Sequence, residues 1–322
     1  MRRILRHALS DAAFFGGRLS RRADAGLRVL MYHRVTDAHP GDRLCVPTEQ
    51  FARQMAWLRD HGYRTISFSQ AVQWVKGESE LTSEKSPLCR NAFGQRVTRS
   101  QPHPPAADGA GSVRRGEDGW DGAAAGPAAS RESDKLVVLT FDDGFEDNVL
   151  YAAPALARHG FVGCFFVPSG FVEAGRHDGL APTDRPMSWE QLRALLAQGH
   201  EVGAHSVSHR KLTTVSAEEL PREVGACKQA LEQGLGRGVD SFCYPAGDYN
   251  SVVKRTVESC GYLGACTVEP GANTAGADPF ALKRTEISAF DTLWDFEKKL
   301  AGAYDWLHCA VQSVSRTKGV FA

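Results

Sequence analysis

Several features that would point to other classes of protein are missing from this sequence. The 322-residue chain contains no apolar run near the roughly 20 residues that a membrane-spanning helix needs. Its 38 Lys and Arg residues balance 38 Asp and Glu residues, so no overall positive field favours nucleic acid or another polyanion as a partner. A glycine-rich phosphate loop is also absent, and no nucleotide cofactor is implied.

The eight cysteines do not follow the pattern of a disulfide-rich protein. None of them forms a CxxC pair, and Cys164 lies within an apolar run, where it is typical of a small buried hydrophobic residue. We therefore expect reduced thiols rather than a disulfide framework.

The N-terminal segment, residues 1–26, is basic. It starts like a signal peptide, but its apolar stretch is short, contains Asp11 and is followed at once by arginines. Two interpretations remain open: an exposed helix, or a basic amphipathic helix that rests on an anionic membrane. We expect a cytoplasmic protein or one peripheral to the membrane, with export as the alternative.

Residues 27–322 are expected to form one domain with a long internal insertion. The stretch at about 79–134 is rich in Gly, Ala, Pro and Ser and lacks apolar periodicity, which predicts a linker or a disordered insertion. A boundary between two domains is the alternative. We favour the insertion because the segments on both sides are typical of parts of one sheet.

Outside the insertion, apolar strands alternate with helical patterns, which predicts an α/β fold with a parallel sheet. A barrel and a doubly wound sheet fit this pattern equally well. Helix starts are predicted from Thr48 as a cap and from two capping boxes, Ser188 with Gln191 and Ser216 with Glu219. The predicted strands are residues 27–32, 136–141, 161–167, 200–204, 241–244 and 262–267.

Two adjacent carboxylates, Asp142 and Asp143, follow the predicted strand 136–141. The carboxyl ends of parallel strands are where α/β folds place their active sites. Two neighbouring acids repel each other unless one is protonated or both share a cation, which a metal ion would supply. An ordinary Asp-Asp-Gly turn is the alternative.

Two histidines, His205 and His209, follow the predicted strand 200–204. On a helical turn, residues at this spacing converge on one side, although two surface histidines would show the same spacing. Together with one carboxylate they make a three-ligand set that leaves a position for water, as in catalytic zinc sites. The second carboxylate is then available as a general base. The same set also suits Fe(II).

The sequence TFDDG at residues 140–144, with HSxxH downstream, resembles the NodB-homology polysaccharide deacetylases, carbohydrate esterase family 4. The resemblance covers residues 27–307 apart from the insertion, and it implies a distorted (β/α) barrel. It also implies that Asp142 is the general base. It further implies that Asp143, His205 and His209 bind a divalent metal, usually Zn²⁺, with Ni, Co and Fe left open.

The segment FCYPAG at residues 242–247 resembles the part of this family that lines the active-site groove. Classical members carry an arginine that orients the base where this chain has Cys243. The chain is closer to a branch with YPxG, which includes enzymes acting on poly-N-acetylglucosamine exopolysaccharides. By this resemblance Tyr244 and Pro245 line the groove, and the N–H of Ala246 helps to hold the oxyanion. A strand end followed by a turn is the alternative.

The general acid is expected near the start of the domain. Classical members take it from a Leu-x-His motif near the C-terminus, where this chain has only His308 after residue 287. The exopolysaccharide branch looks circularly permuted, and its acid histidine follows the first strand in a YHxV context, which His33 matches. An imidazolium can protonate a leaving amine near neutral pH. A hydrogen-bonded histidine at a strand end is the alternative.

Arg284 and Glu286 lie near a predicted strand end close to the C-terminus. Either residue could orient His33 or Asp142 from behind. A surface ion pair of small energetic value is the other interpretation.

These expectations combine into a metal-dependent hydrolase that removes N-acetyl groups from amino-sugar residues of a polysaccharide. The expected partner is an N-acetylated polysaccharide or oligosaccharide and not a nucleic acid. Two alternatives remain: a non-catalytic glycan-binding member of the same fold, or another metal-assisted amide or ester hydrolase. A phosphoester substrate would require a basic cluster, and only Arg34 and Arg210 lie near the motifs in sequence.

Overall fold

The computed structural model describes residues 26–78, 135–174 and 180–305, and this part of the chain forms an α/β fold. The N-terminal segment 1–25 and the predicted insertion at 79–134 lie outside the described residues. The strands are, in chain order, β1 Arg28–Tyr32, β2 Arg34–Val35, β3 Cys45–Val46, β4 Tyr63–Thr65, β5 Lys135–Phe141, β6 Cys164–Val167, β7 Glu201–Ala204, β8 Ser241–Cys243, β9 Gly264–Cys266 and β10 Thr285–Glu286.

One eight-stranded parallel sheet dominates the fold. Its order is β10-β1-β5-β6-β7-β8-β9, and β4 pairs with the start of β5. The short strands β2 and β3 form a separate pair. All strand pairs are parallel, as the alternation of strands and helices predicted, so the carboxyl ends of the long strands lie along one edge.

The sheet curls toward closure, which selects the barrel over the doubly wound sheet. Leu282 bridges to Cys266 of β9 in parallel, and Thr285 pairs three residues later with Leu30 of β1. The segment that contains β10, at one end of the strand order, therefore also contacts β9 at the other end. This arrangement matches the predicted distorted (β/α) barrel.

Both faces of the sheet are buried. In β1, Val29 belongs to one apolar cluster, which also contains Phe68 and Val72, whereas Leu30 belongs to a second, larger cluster. In β5, Val138 and Leu139 divide in the same way. Continuous apolar runs are expected for strands that are covered on both sides, which is why β1 and β5 could be recognised in the sequence.

Helices cover the outer face of the sheet. Ser188 and Gln191 form the predicted capping box, and Ser67 with Gln70 forms one that was not predicted. None of the described helices is long and apolar enough to cross a membrane. The α-helices are α1 Thr48–Asp60, α2 Phe68–Val75, α3 Ala153–Ala157, α4 Ser169–Glu173, α5 Trp189–Ala197, α6 Cys227–Leu235, α7 Ser251–Ser259 and α8 Leu293–Leu300.

Two predicted helix starts differ from the structure. Thr48 is the first residue of α1 rather than its cap, because its hydroxyl donates to Asp37. Ser216 accepts a hydrogen bond from the main chain of Glu219 as predicted, but the helix that follows is irregular. It passes through a π-helical turn at Arg222–Ala226 before α6 begins, and single π-helical turns often occur at functional sites.

Candidate active site

The polar residues singled out in the sequence meet at the carboxyl-terminal edge of the sheet. His33 follows β1, the acidic pair follows β5 and His205 follows β7. Tyr32 and Phe141 are paired in the sheet, and the main-chain N–H of Asp142 donates to the carbonyl of Tyr32, at 3.0 Å. The parallel register therefore places His33 beside the acidic pair.

The two adjacent carboxylates have different partners. Asp142 is 2% exposed, and both of its oxygens accept hydrogen bonds from Arg284, at 2.7 and 2.8 Å. Asp143 instead has its Oδ1 atom 3.1 Å from Nε2 of His209 and 3.5 Å from Nε2 of His205. The expected repulsion between the acids is thus relieved by two different sets of cationic or metal-binding groups.

Electrostatics keeps Asp142 ionised. Burial on its own would raise the pKa of this carboxyl, but the charge and hydrogen bonds of Arg284 outweigh burial and hold the pKa below its usual value. The guanidinium is itself fixed, because Nε donates to the carbonyl of Thr267 at 2.7 Å and Nη1 donates to Thr140 at 3.1 Å. Asp142 is therefore a rigidly held carboxylate.

The second acid belongs to a group of residues that fits a metal ion. The ligand atoms of Asp143, His205 and His209 all lie within 4.8 Å of one another. Burial would raise the pKa of Asp143, but the two imidazoles lower it strongly, so this carboxylate is also ionised. One carboxylate and two imidazoles whose ligand atoms face each other are the donor set expected of a catalytic zinc site.

The tautomer of His205 supports this fit. Its Nδ1 atom lies 2.7 Å from the carbonyl oxygen of Cys243, which can only accept a hydrogen bond, so Nδ1 carries the proton. In a neutral ring the lone pair is then on Nε2, the atom that faces Asp143 and His209. Without an ion, burial would lower the pKa of His205, but the nearby acidic groups raise it, so a proton on Nε2 would face Asp143. A bound ion would take the place of that proton, and metal-binding histidines commonly donate their other N–H to a carbonyl in this way.

Backbone strain is concentrated at the same place. Among the described non-glycine residues, positive φ occurs at Asp143 (70°), Ser206 (62°), His209 (58°) and Ala246 (54°). Each left-handed residue costs roughly 1–3 kcal/mol and persists only where the surroundings fix it. All of them lie in the segments after β5, β7 and β8, so the strain marks the site identified from the side chains.

The HSxxH segment is a loop, and the prediction that its histidines lie on a helical turn is wrong. Residues 205–209 follow β7 without helical structure, because Ser206 and His209 adopt left-handed backbone angles. The two rings still approach each other, with centroids 4.7 Å apart. The four-residue spacing therefore works here through a compact loop in which Ser206 Oγ accepts from the main chain of His209, at 2.9 Å.

Comparisons with known proteins place this chain among polysaccharide deacetylase relatives. The polysaccharide deacetylase family model matches residues 129–265. The Bacillus subtilis (strain 168) protein YxkH is 24% identical over 82% of this chain and 72% of its own length. The peptidoglycan-N-acetylmuramic acid deacetylase PdaA from the same organism is 26% identical over 40% of this chain, which spans 45% of that relative.

A solved structure shares the fold over most of the chain. The Streptococcus pyogenes deacetylase PplD superposes with a TM-score of 0.64 at 18% identity, covering 86% of this chain and 98% of PplD. Residues 129–265 match the polysaccharide deacetylase family. The match supports a hydrolytic deacetylase, and the described residues have the (β/α) barrel-type fold that the family resemblance implied.

His33 lies close enough to the acidic pair to lower the pKa of both carboxyl groups, although burial and nearer partners dominate those pKa values. Its carbonyl accepts a hydrogen bond from Asn148 at 2.8 Å. Its Nδ1 atom is buried and has no hydrogen-bond partner among the described residues. The ring is thus at the site, and its role as the acid stays a prediction.

The YPAG segment contributes little side-chain surface. Tyr244 is 0% exposed, and its hydroxyl donates to the carbonyl of Phe280 at 3.0 Å. Pro245 is also buried, whereas Ala246 is exposed at the turn. Tyr244 and Pro245 were predicted to line the groove, but both are buried and support the turn instead. Ala246 is the exposed residue among these three.

The sequence left two interpretations open for Arg284 and Glu286, and each residue fits a different one. Arg284 holds Asp142, and its Nη2 atom also lies 3.0 Å from the sulfur of Cys243. Glu286 instead accepts a hydrogen bond from Arg43, whose side chain is 60% exposed, at 2.8 Å. Arg284 thus lies directly beside Asp142, and Glu286 forms a surface ion pair.

The sequence analysis missed Glu223, which fixes the histidine loop. Its carboxylate accepts hydrogen bonds from the main-chain N–H of Val207 at 3.1 Å and of Ser208 at 3.0 Å, and from the Ser208 hydroxyl at 2.6 Å. Glu223 lies in the π-helical turn before α6 and is 8% exposed. No local sequence pattern links it to the histidines; only a buried glutamate in a helical segment hints at a partner.

Proposed function

We propose that this chain is a metal-dependent deacetylase that hydrolyses N-acetyl groups of amino-sugar residues in a polysaccharide. The observation that supports the proposal is that the two adjacent carboxylates contact different groups. Asp143 faces two imidazole nitrogens, and Asp142 is held by Arg284. One acid thereby joins the metal ligands, and its neighbour stays available for proton transfer.

Asp143, His205 and His209 would hold the ion, with Zn²⁺ as the expected metal and Ni, Co or Fe as alternatives. A bound ion would supply Lewis-acid polarisation of the acetyl carbonyl and would favour ionisation of water. The buried position of His205 and its hydrogen bond to Cys243 hold the ring with Nε2 toward Asp143, the orientation in which it would bind an ion.

Asp142 acts as the general base in this proposal. Arg284 keeps the carboxylate ionised, so an oxygen of Asp142 can accept a proton from the attacking water. His33 acts as the general acid and donates a proton to the nitrogen of the leaving sugar amine. The exposed main chain at Ala246 contributes an N–H toward the developing oxyanion. Acetate and the free amine are the products.

A glycan-binding module without catalysis has no need for such an arrangement. Removing Asp142 and Arg284 from water carries a desolvation cost of several kcal/mol per ion. Their bidentate contact offsets this cost but adds little net stability. A binding groove would recognise sugar hydroxyls without a buried ion pair behind the ligand site. The buried pair therefore favours the enzyme over the binding module.

The proposal is tested by acetate release from N-acetylglucosamine oligomers, with chelated protein and with protein to which Zn²⁺ is restored. We expect activity only with metal. Asp142→Asn should keep a full complement of metal and lose turnover, whereas His205→Ala should lose the metal. Unchanged turnover in Asp142→Asn, or equal turnover of the chelated and the zinc-loaded protein, would contradict the proposal.

A further inference from the structure

His33 lies just beyond the strand pair that holds its neighbours in the chain. The pairing of β1 with β5 ends at Tyr32 and Phe141, and His33 follows Tyr32 before the short strand β2 begins. The register of β1 and β5 therefore does not by itself fix the imidazole. Contacts to residues 33 and 34 must set the position of the ring relative to the acidic pair.

Two adjacent residues, Asp147 and Asn148, provide such contacts. Asn148 donates from Nδ2 to the carbonyl of His33 at 2.8 Å, and Asp147 accepts from Nε of Arg34 at 2.7 Å. Both residues are 0% exposed, and they follow Asp143 by four and five positions on the same segment. The segment that carries the acidic pair therefore also holds the segment that carries the ring.

The guanidinium of Arg34 is anchored on more than one side. Its Nη2 atom donates to Asp184 at 2.9 Å and to the carbonyl of Thr183, and its central carbon lies 4.4 Å from the ring centroid of Phe145. The side chain of Arg34 is 12% exposed, and that of Asp147 is 0% exposed. A guanidinium with several fixed partners cannot turn toward solvent, so the ion pair with Asp147 also restrains the backbone beside His33.

Stability alone does not explain this arrangement. Three side-chain atoms, Asp147 Oδ1, Asn148 Oδ1 and His33 Nδ1, are buried and have no hydrogen-bond partner among the described residues. Each buried polar atom without a partner is unfavourable for folding, and such atoms in a native fold call for a functional explanation. Here they lie on two adjacent residues and on the ring whose segment those residues hold.

We propose that Asp147 and Asn148 are positioning residues that hold His33 where it can protonate the leaving sugar amine. The inference rests on the proposed function, in which His33 is the general acid. Both residues are buried, so they act through His33 and Arg34 and not on the substrate. A misplacement of about 1 Å can cost roughly 100-fold in rate, and a general acid typically contributes roughly 100- to 10,000-fold. Loss of either contact should therefore slow protonation of the leaving group.

The test compares two leaving groups. Zinc-loaded protein is assayed on N-acetylglucosamine oligomers, whose amine must be protonated as it leaves, and on 4-nitrophenyl acetate, whose phenolate leaves without a proton. In Asn148→Ala and Asp147→Ala, we expect kcat for the oligomers to fall roughly 10- to 100-fold, with KM within about twofold of the parent. Turnover of 4-nitrophenyl acetate and the zinc content should not change.

Conservative variants grade the effect. Asp147→Asn keeps an oxygen that can accept from Arg34, so its kcat should lie between those of the parent and Asp147→Ala. Asn148→Asp keeps the size of the side chain but loses the amide donor, and it should lose as much kcat as Asn148→Ala. Adding Asn148→Ala to His33→Gln should lower kcat no further, because residues that act through one group are not additive.

Asn250→Ala is the control for lost stability. The Asn250 side chain accepts hydrogen bonds from the main-chain N–H groups of Val252 and Val253 at the start of α7, so its removal weakens a helix. Turnover of both substrates should match the parent in this variant.

The position of the ring is also measured without turnover. The signal of the His33 ring in a proton–carbon NMR spectrum, identified by its loss in His33→Gln, should shift in Asn148→Ala and stay in place in Asn250→Ala. A parent chain that releases no acetate from the oligomers would contradict the deacetylase proposal.

Three other outcomes would overturn the positioning proposal and leave the deacetylase proposal intact. The first is an active parent whose kcat on the oligomers is unchanged in Asn148→Ala and Asp147→Ala. The second is an equal loss on the oligomers and on 4-nitrophenyl acetate, which would mean that these residues support the whole site. The third is a His33 ring signal that is the same in Asn148→Ala as in the parent.

Discussion

Arg284 and Asp142 are 142 residues apart in the sequence, yet they form a buried bidentate ion pair at the proposed active site. The guanidinium comes from the segment that closes the curled sheet, next to β10. The small side chain of Cys243 lies against it, with 3.0 Å between the sulfur and Nη2. The family resemblance implied an arginine in place of Cys243, and in this chain Arg284 reaches Asp142 from the segment that leads into β10.

Replacing Arg284 should impair turnover without removing the metal. Arg284→Lys keeps a charge but loses the planar fork that matches both carboxylate oxygens, so we expect kcat to fall at least about tenfold. Arg284→Met leaves a buried carboxylate without a partner and should lower the free energy of unfolding by about 3–5 kcal/mol. Steady-state kinetics, metal stoichiometry and urea unfolding check these results.

Arg43→Lys is the control for Arg284, because the exposed Arg43 pairs with the half-buried Glu286 and its replacement should change neither property. Normal kcat in Arg284→Lys would show that the pairing is structural only. A low kcat accompanied by loss of zinc would instead mean that Arg284 supports the ligand loops.

Glu223 should set the metal affinity, because it organises the loop between the two histidines. Glu223→Ala removes three hydrogen bonds to Val207 and Ser208, and groups that orient metal ligands typically account for 10–100-fold in affinity. We therefore expect the Kd for Zn²⁺ to rise by about that factor, measured by competition with a chromophoric chelator.

Glu223→Gln should lie between the parent and Glu223→Ala, since the amide oxygen can still accept part of the hydrogen bonds. Glu219→Gln alters an exposed glutamate that pairs with Arg210, and its zinc affinity should equal that of the parent. An unchanged zinc Kd in Glu223→Ala would mean that the strained loop holds its shape without this carboxylate.

Local features of the sequence were the predictable part of the fold. The apolar runs of β1 and β5 reflect burial on both faces, and the Ser188 capping box depends only on residues three apart. The motifs at the strand ends could also be predicted to lie together, because the last residues of parallel strands lie along one edge of the sheet. The positions of His33, Asp142 and Asp143 were predictable for this reason.

Contacts between residues far apart in the sequence could not be predicted. Nothing near Arg284 or Glu223 in the sequence identifies a partner more than a dozen residues away, and β10 is only two residues long. The histidine loop was misassigned because the four-residue spacing fits a helical turn, whereas tertiary contacts hold Ser206 and His209 in left-handed angles that no propensity predicts.

The strained turn at Ala246 should respond oppositely to two substitutions. Its φ of 54° suits glycine, so Ala246→Gly relieves a strain of about 1–2 kcal/mol but adds about 0.4–1 kcal/mol of unfolded-state entropy. We expect a free energy of unfolding that is equal to the parent or up to about 1 kcal/mol higher. Ala246→Val should destabilise, because a β-branched residue tolerates this angle poorly. Urea unfolding of both variants checks the order, and a Val variant as stable as the Gly variant would contradict it.

His200 should make the fold sensitive to acid. Burial lowers the pKa of this imidazole to about 4, and its Nδ1 accepts a hydrogen bond from the N–H of Gly163 at 3.2 Å, which protonation would remove. The unfolded chain, with a histidine pKa near the usual 6.5, then binds more protons between about pH 6.5 and 4. Stability from this residue is therefore present above that window and falls as the pH drops through it, by up to about 3 kcal/mol.

Replacing this histidine isolates its share of the acid sensitivity. His200→Gln keeps a hydrogen-bond acceptor but cannot titrate, so it should be less stable than the parent at pH 7, and the difference should shrink or reverse toward pH 4. Urea unfolding at several pH values measures both curves, and the exposed His61→Gln serves as the control for loss of a histidine. Parallel curves for the parent and His200→Gln would mean that the ring is protonated as readily in the folded chain as in the unfolded one.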